Sequence, residues 1–436
     1  MKARFLRLIQ STIDAFWVLP AAIVAALAVL AVLVVDVQLL GRLPSWIPSN
    51  WIYGGGDTGA RTLLGAIASS TIGVAGTLFS ITIAALTLAS NQMGPRLLRN
   101  FMRDRGNQLT LGVFLGTFAY CLIVLRAVRG GEADAFVPSL GVTIGLLLAA
   151  TCIGLLIYFI HHVASRINVD TVIDLVHDDV IEDMQRLTRD EPCPSVDDAV
   201  DWSRAVSLCF PHSGYLQQVD TAALVDWAVD QDCVIRFVRR PGDFIYPHAP
   251  VALVSKPVDQ AEAAIWSRIA LSRQGGSPAD FTFPIAQLVE VAVRALSPGI
   301  NDPRTAMSVL DRLGATLAWL SRRHLGNGQH ITAGELRLHL PAADYGDVAE
   351  VMFDMIRQSA AGSPVVLIHL MRVLTEVVGV ETEPLRREVL IRHARIALKH
   401  GEDAFQCETD RIRLRSAHAD FRRTLTQADP CPLTEP

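Results

Sequence analysis

The sequence predicts an α-helical membrane protein with four transmembrane helices. A cytoplasmic α+β region follows, containing a small β-barrel or sandwich and a helical bundle. Three observations predict this. Half of the 436 residues are apolar and only 19% are charged, too oily for an ordinary soluble chain and far from a disordered one. The excess is concentrated: residues 13–160 carry few charges, mostly between apolar runs, while residues 161–436 have normal globular texture. The runs are also long enough to span, since a helix rises about 1.5 Å per residue and a hydrocarbon core is about 30 Å thick.

The expected organisation is a transmembrane domain over 1–164, then an amphipathic connecting helix and linker over 165–195. A β-barrel-like module over 196–256, a mainly helical domain over 257–427 and a loose tail over 428–436 complete it. The net charge of −5 argues against a nucleic-acid partner, which requires a basic face. The seven cysteines are scattered, with no CxxC pair and no zinc spacing, so neither a disulfide framework nor a metal centre is expected.

The first apolar run covers residues 13–40, with Asp14 and Asp36 its only charges. It is too long for a signal-peptide core and reads as an uncleaved anchor. The others cover residues 62–92, 109–125 and 138–160. Arginine and lysine in the short flanks set the orientation. Lys2, Arg4, Arg7, Arg96, Arg99, Arg103, Arg105 and Arg166 fall on one side. Arg42, Arg61, Arg126 and Arg129 on the other are offset by Asp57, Glu132 and Asp134. Both termini are therefore expected in the cytoplasm. Trp46, Trp51 and Tyr53 suit an interfacial belt or an ordinary loop. His161 and His162 are adjacent on one helix and read as interfacial rather than metal-binding.

The second run is the most informative. Ser69, Gly73, Gly76, Ser80, Ala84, Thr87 and Asn91 recur in steps of three and four, which keeps one helix face. Such a stripe either lets two helices approach closely with hydroxyls bonding across the seam, or lines a narrow pore when several copies surround an axis. No Asp, Glu, Lys or Arg falls in mid-membrane, which argues against an ion-coupled carrier.

Residues 165–189 repeat Ile173, Val176, Val180, Met184 and Leu187 at helical spacing. Strand texture follows at 205–210, 214–220, 233–239, 244–246 and 251–254. Ser213, Gly214, Tyr215 and Leu216, with Pro241-Gly242-Asp243-Phe244-Ile245 and Ala249-Pro250-Val251, resemble the small barrels of lipoyl and biotinyl carriers. Those carriers need a hairpin lysine, and the segment has none, so a barrel without cofactor is expected. Residues 257–272 and 284–296 read as helices.

Between residues 297 and 306 lies the strongest local signature, a helix stop followed by a helix start. Gly299 suits a left-handed stop after Ser297, Asn301 or Asp302 a cap, and Pro303 the first turn. Arg304 and Thr305 then stand beside backbone N–H groups. The segment reads as a structural turn or as an anion site, with Asp302 competing for those groups. Further helices are expected at 345–359, 364–378, 384–399 and 402–426, with a strand at 335–340 and a helix stop at Gly379. No GxxxxGK[ST], HExxH or GxSxG motif occurs. Gly54, Gly56 and Gly59 match GxGxxG in an outer loop without a preceding strand, so they read as a turn. His369 is a candidate buried histidine, and Asp243 and His248 a candidate pair.

Residues 290–306 carry E-V-A-V-R and then A-L-S-P-G-I-N-D-P-R-T-A. With F-S-I-T-I-A-A-L at 79–86, A-S-N-Q at 89–92 and Pro95-Arg96, the chain resembles an uncharacterised bacterial inner-membrane family, domain-of-unknown-function family 2254. The resemblance covers nearly the whole chain. It implies four membrane helices, a cytoplasmic domain and an inner-membrane location, and brings no activity. From the residues themselves two functions are expected. One is a homo-oligomeric pore passing small ions or solutes, with a cytoplasmic vestibule. The other is a membrane-anchored sensor or scaffold binding an anionic ligand or partner at residues 297–305. The expected partners are the lipid bilayer, further copies of the chain, and a small ion or anionic ligand, with no cofactor.

Overall fold

A computed structural model of the chain describes residues 16–40, 52–93, 104–130, 136–166, 169–196 and 200–427. Side chains at 85–86, 88–93 and 164–166 lie outside that description, as do Trp46, Trp51, the arginines of residues 94–103 and the tail. The chain divides into two compact units, Met1–Thr171 and Val172–Pro436.

The N-terminal unit contains α1 (Val18–Leu39), α2 (Asp57–Met93), α3 (Arg105–Ala127) and α4 (Ser139–Arg166). All four are long and apolar enough to cross a membrane. The central helix is α3: half of its most apolar window is buried, against 22% for each of the others. It packs on α1, α2 and α4. Two glycines make the α1 contact possible. A Cβ at Gly112 would stand 2.8 Å from Ile23 Cδ1, and one at Gly116 2.6 Å from Leu27 Cδ1. This is the small-xxx-small seam that membrane helices use where lipid removes any hydrophobic drive. Within the bundle the buried Tyr120 hydroxyl donates to the Gly141 carbonyl at 3.0 Å.

The C-terminal unit begins within the amphipathic α5 (Val169–Leu187), which buries Val172, Ile173, Val176, Val180 and Met184. Strands β2 (Val206–Cys209), β3 (Gly214–Val219), β4 (Ile235–Phe237) and β5 (Phe244–Ile245) fall within the expected strand regions, and β6 (Pro250–Val254) begins one residue before its own. They do not close into a barrel. β2, β6 and β4 join β10 (Glu335–His339) and β9 (Gln329–Thr332) in one open sheet, where β4 and β10 pair in parallel. β3 leaves to pair with β5 and with β7 (Ile269–Ser272) in a second sheet. Closure fails because α6 (Thr221–Asp230) separates β3 from β4, and β4 takes its second partner from far along the chain. The expected helix over 257–272 is shorter, α7 (Ala261–Trp266), since its last residues form β7. Phe210, Leu216, Leu224, Ile235, Phe237 and Ile265 share one buried core. A two-stranded ladder, β1 (Thr188–Arg189) with β8 (His324–Leu325), lies outside these sheets.

The helical part comprises α8 (Thr282–Ala295), α9 (Pro303–Leu320), α10 (Tyr345–Ser359), α11 (Pro364–Val380), α12 (Pro384–Ala404) and α13 (Glu408–Gln427). Proline opens α9, α11 and α12 at the first turn, where its missing N–H costs nothing. A reciprocal capping box of Asp344 and Asp347 opens α10. Gly379 does not end α11, which runs through to Val380. A Cβ there would stand 3.3 Å from Thr424 Cγ2, so the glycine serves the approach of α13.

Candidate functional site

The small-residue stripe of α2 faces outward from its own bundle. Ser69, Gly73, Gly76, Ser80, Ala84 and Thr87 are all exposed within the unit, and Gly73 and Gly76 have open space where a side chain would sit. The face packed against the other helices carries Leu64, Ala68, Thr71, Ala75 and Leu78 instead. The seam inside the unit is therefore made by α3, and the stripe is left unused by it. Asn91 lies outside the described side chains. The Ser80 hydroxyl donates to the Gly76 carbonyl at 3.0 Å and the Thr87 hydroxyl to the Ile83 carbonyl at 2.9 Å. With their protons turned onto the backbone, these oxygens present lone pairs outward. Phe79, Ile72 and Ile83 flank the stripe and are also exposed.

One polar contact in this unit escaped the sequence. Asp104 caps α3 by accepting from Gly106 N at 2.9 Å, and its other oxygen lies 2.6 Å from His162 Nε2 of α4. The carboxylate is almost fully buried. His162 stacks on Tyr158, whose hydroxyl is 3.4 Å from Nδ1. The contact explains why residue 106 is glycine: a Cβ there would meet His162 Nε2 and Tyr158 Oη at 2.9 Å each.

In the C-terminal unit, the turn between α8 and α9 is held by its own hydrogen bonds. Asp302 N donates to the Ala295 carbonyl at 2.7 Å, and Asn301 N to the Ser297 carbonyl at 2.9 Å. Asp302 Oδ1 accepts from the N–H groups of Arg304 and Thr305, at 3.1 and 3.3 Å. Its Oδ2 accepts from the Thr305 hydroxyl at 2.6 Å. That hydroxyl, and then the two N–H groups, hold the Asp302 carboxyl below the usual carboxylate range. The first turn of α9 is thus occupied by the chain's own anion, and Arg304 is exposed. The left-handed residue is Asn301, with φ 49°, and not Gly299. Asparagine tolerates that region because its short side chain bonds locally.

Elsewhere, His369 is half-buried and paired with Asp311 at 2.7 Å. Asp243 accepts from Arg240 N at 3.0 Å within its turn, and His248 is exposed at a positive φ of 61°. Among the described residues, no three His, Cys, Asp or Glu side chains converge as a metal site.

Four apolar spans with a compact α+β unit appended define a polytopic membrane protein. The chain belongs to the family described as "Predicted membrane protein (DUF2254)", which matches residues 13–376. It is similar to the uncharacterized protein MT1328 of Mycobacterium tuberculosis (strain CDC 1551 / Oshkosh). It is also similar to the uncharacterized protein Mb1321c of Mycobacterium bovis. Each is 30% identical over 379 residues, covering 83% of this chain and 71% of the relative. No solved structure matches it.

Proposed function

We propose that the protein is a homo-oligomeric, channel-like pore of the bacterial inner membrane, with both termini in the cytoplasm, that passes small ions or solutes passively. The observation that supports it is the outward orientation of the α2 stripe. A row of hydroxyls and glycines gains little from lipid, whereas identical copies around a closed symmetry axis would turn the rows toward one another. The outward lone pairs of Ser80 and Thr87 suit a hydrated cation better than an anion. Among the four spans the α2 span has the lowest mean hydropathy, 1.6 against 1.9 to 3.0, as a pore-facing helix would. The stripe carries no ionisable side chain to couple a second ion.

The test is particle mass in detergent together with cation flux from liposomes loaded with purified protein. An oligomer with protein-dependent flux supports the pore. A lone protomer, or an oligomer that passes nothing, overturns it.

A further inference from the structure

A cleft of about 810 Å³ opens within the C-terminal unit, in the size range of small-molecule sites. Its walls come from the end of α5 with β1, the first turn of α6, the turn at residues 240–241 with residues 279–281, and β9 with its flanking loops. Three arginines line it: Arg186, Arg189 and Arg240.

Two of these are already answered. Arg186 pairs with Asp183 at 2.5 Å and donates to the Pro278 carbonyl at 2.7 Å. Arg240 pairs with Asp347 of the α10 capping box at 2.7 Å. Two polar side chains at the rim are also committed. Asn327 donates to the Pro194 carbonyl at 2.8 Å, and Gln329 brackets the Val196 backbone at 3.0 and 3.2 Å. Asp280, on another wall, is held by its own loop, accepting from Thr282 N at 2.9 Å, and burial pushes its carboxyl up.

Arg189 is different: among the described residues it has no carboxylate partner. Its charge bears instead on His330, whose imidazole is pushed down first by burial and then by that guanidinium. A cation from β1 and an imidazole from β9 thus line the same cleft, and among the described residues neither is paired with a carboxylate. Thr221 and Ala222 bring the positive end of α6 to the same space. Asp220 caps that helix only at Ala223 N, at 3.1 Å. Among the described residues lining the cleft, Asp226 is the one carboxylate without such a commitment; with Asp280 it makes two carboxylates against three arginines in the lining. Val225 and Leu340 supply apolar wall.

We infer that this cleft binds a small organic phosphate, with Arg189 and His330 taking the phosphoryl group and the Val225 and Leu340 walls taking the organic body. A planar guanidinium matches phosphate with two parallel N–H bonds. The inference is independent of the pore, because the site lies wholly within the C-terminal unit and is read by binding alone.

The experiment is calorimetric titration of the full-length protein in detergent with ATP, pyrophosphate and adenosine. Saturable binding of ATP and pyrophosphate is expected, without binding of adenosine. Arg189→Ala should weaken both by about tenfold or more, the worth of a charge-assisted hydrogen bond. His330→Gln should weaken them less, and Arg413→Ala, on a different groove, should leave them unchanged. An unaltered melting temperature without ligand shows each variant to be folded. Should Arg189→Ala melt early, His330→Gln decides. No binding of either phosphate overturns the inference. So does binding that survives Arg189→Ala, that falls equally in Arg413→Ala, or that adenosine matches.

Discussion

Gly116 of α3 and Leu27 of α1 approach so closely that a Cβ on the glycine would stand 2.6 Å from the leucine Cδ1. Gly76 of α2, another glycine of the same bundle, has nothing within 4 Å. The pair separates packing within the unit from contact outside it. Gly116→Leu should force α1 and α3 apart at the 1–3 kcal/mol typical of overpacking, or about that order, and lower the melting temperature of the protein in detergent. Gly76→Leu should leave that melting temperature level or higher, since the glycine also costs the helix roughly 0.5–1 kcal/mol against alanine. Liposome flux should nevertheless fall in Gly76→Leu. Flux unchanged by Gly76→Leu and by a bulky residue at Ser80 would remove the stripe from any conduction path.

How much of this was readable in the chain depends on the distance over which each feature is decided. The four spans and the strand-rich texture of residues 206–254 follow from local composition and period, and they stand in the structure within a few residues. The barrel did not follow, because β4 pairs with β10 by a long-range parallel register that no local pattern announces. A periodic row of small residues marks a face of α2 but does not say whether it turns inward. Gly112 and Gly116 carried the same signal in a shorter run and turned out to make the seam. Asp104 and His162 are 58 residues apart and meet only because α3 and α4 pack side by side. The cleft is likewise assembled from distant segments, and each of its arginines alone looks like ordinary surface charge. The turn at 297–305 was legible as a cap because capping is local chemistry.

Asp302 therefore yields a second prediction. Asp302→Ala removes the acceptor for two N–H groups and a hydroxyl at the start of α9. A lost cap costs about 1 kcal/mol, so the melting temperature should drop modestly. Arg304→Ala, at an exposed side chain, should stay within about 0.5 kcal/mol. If Arg304→Ala proved as damaging as Asp302→Ala, the turn would have a role beyond capping.

Arg386 of α12 ties that helix to the end of α9. Its guanidinium donates to the carbonyls of Leu320 and Arg323 at 3.0 and 2.9 Å, at the end of α9, and pairs with Glu383 at 2.7 Å. A buried cation at a helix C-terminus answers both the orphan carbonyls and the negative end of the dipole. Glu381, fully buried 4.0 Å away, has its carboxyl pushed up by burial. Arg386→Ala strands all of these partners and should cost about 3–5 kcal/mol, the usual cost of breaking a buried pair. Arg386→Lys keeps the charge but not the fork, and should fall between. Thermal melting of the intact protein ranks the three. A lysine variant as stable as wild type would show that charge alone, without the planar geometry, holds this corner.

Acid should weaken the protein through His393. Its ring is buried in α12, meets Phe353 edge-on and has no hydrogen-bond partner on either nitrogen. Asp354 lies 3.8 Å away. Burial brings its pKa down from 6.5 to about 4; Asp354 opposes that shift, while Arg392 and Arg357 add to it. The imidazole is thus neutral in the folded protein and takes a proton near pH 6.5 when unfolded. Between these values the unfolded state binds more protons, so stability falls as pH drops below about 6.5 and the loss is complete near pH 4. At about 1.36 kcal/mol per unit, that loss is of order 3 kcal/mol. His330, His339, His400 and His418 are shifted the same way and share the acid limb, so the informative quantity is a difference. His393→Leu should lose less melting temperature than wild type between pH 7 and pH 4.5, while the two curves run parallel above pH 7. Parallel curves over the whole range would mean that His393 takes up its proton as readily in the folded protein as in the unfolded chain, with Asp354 as its partner.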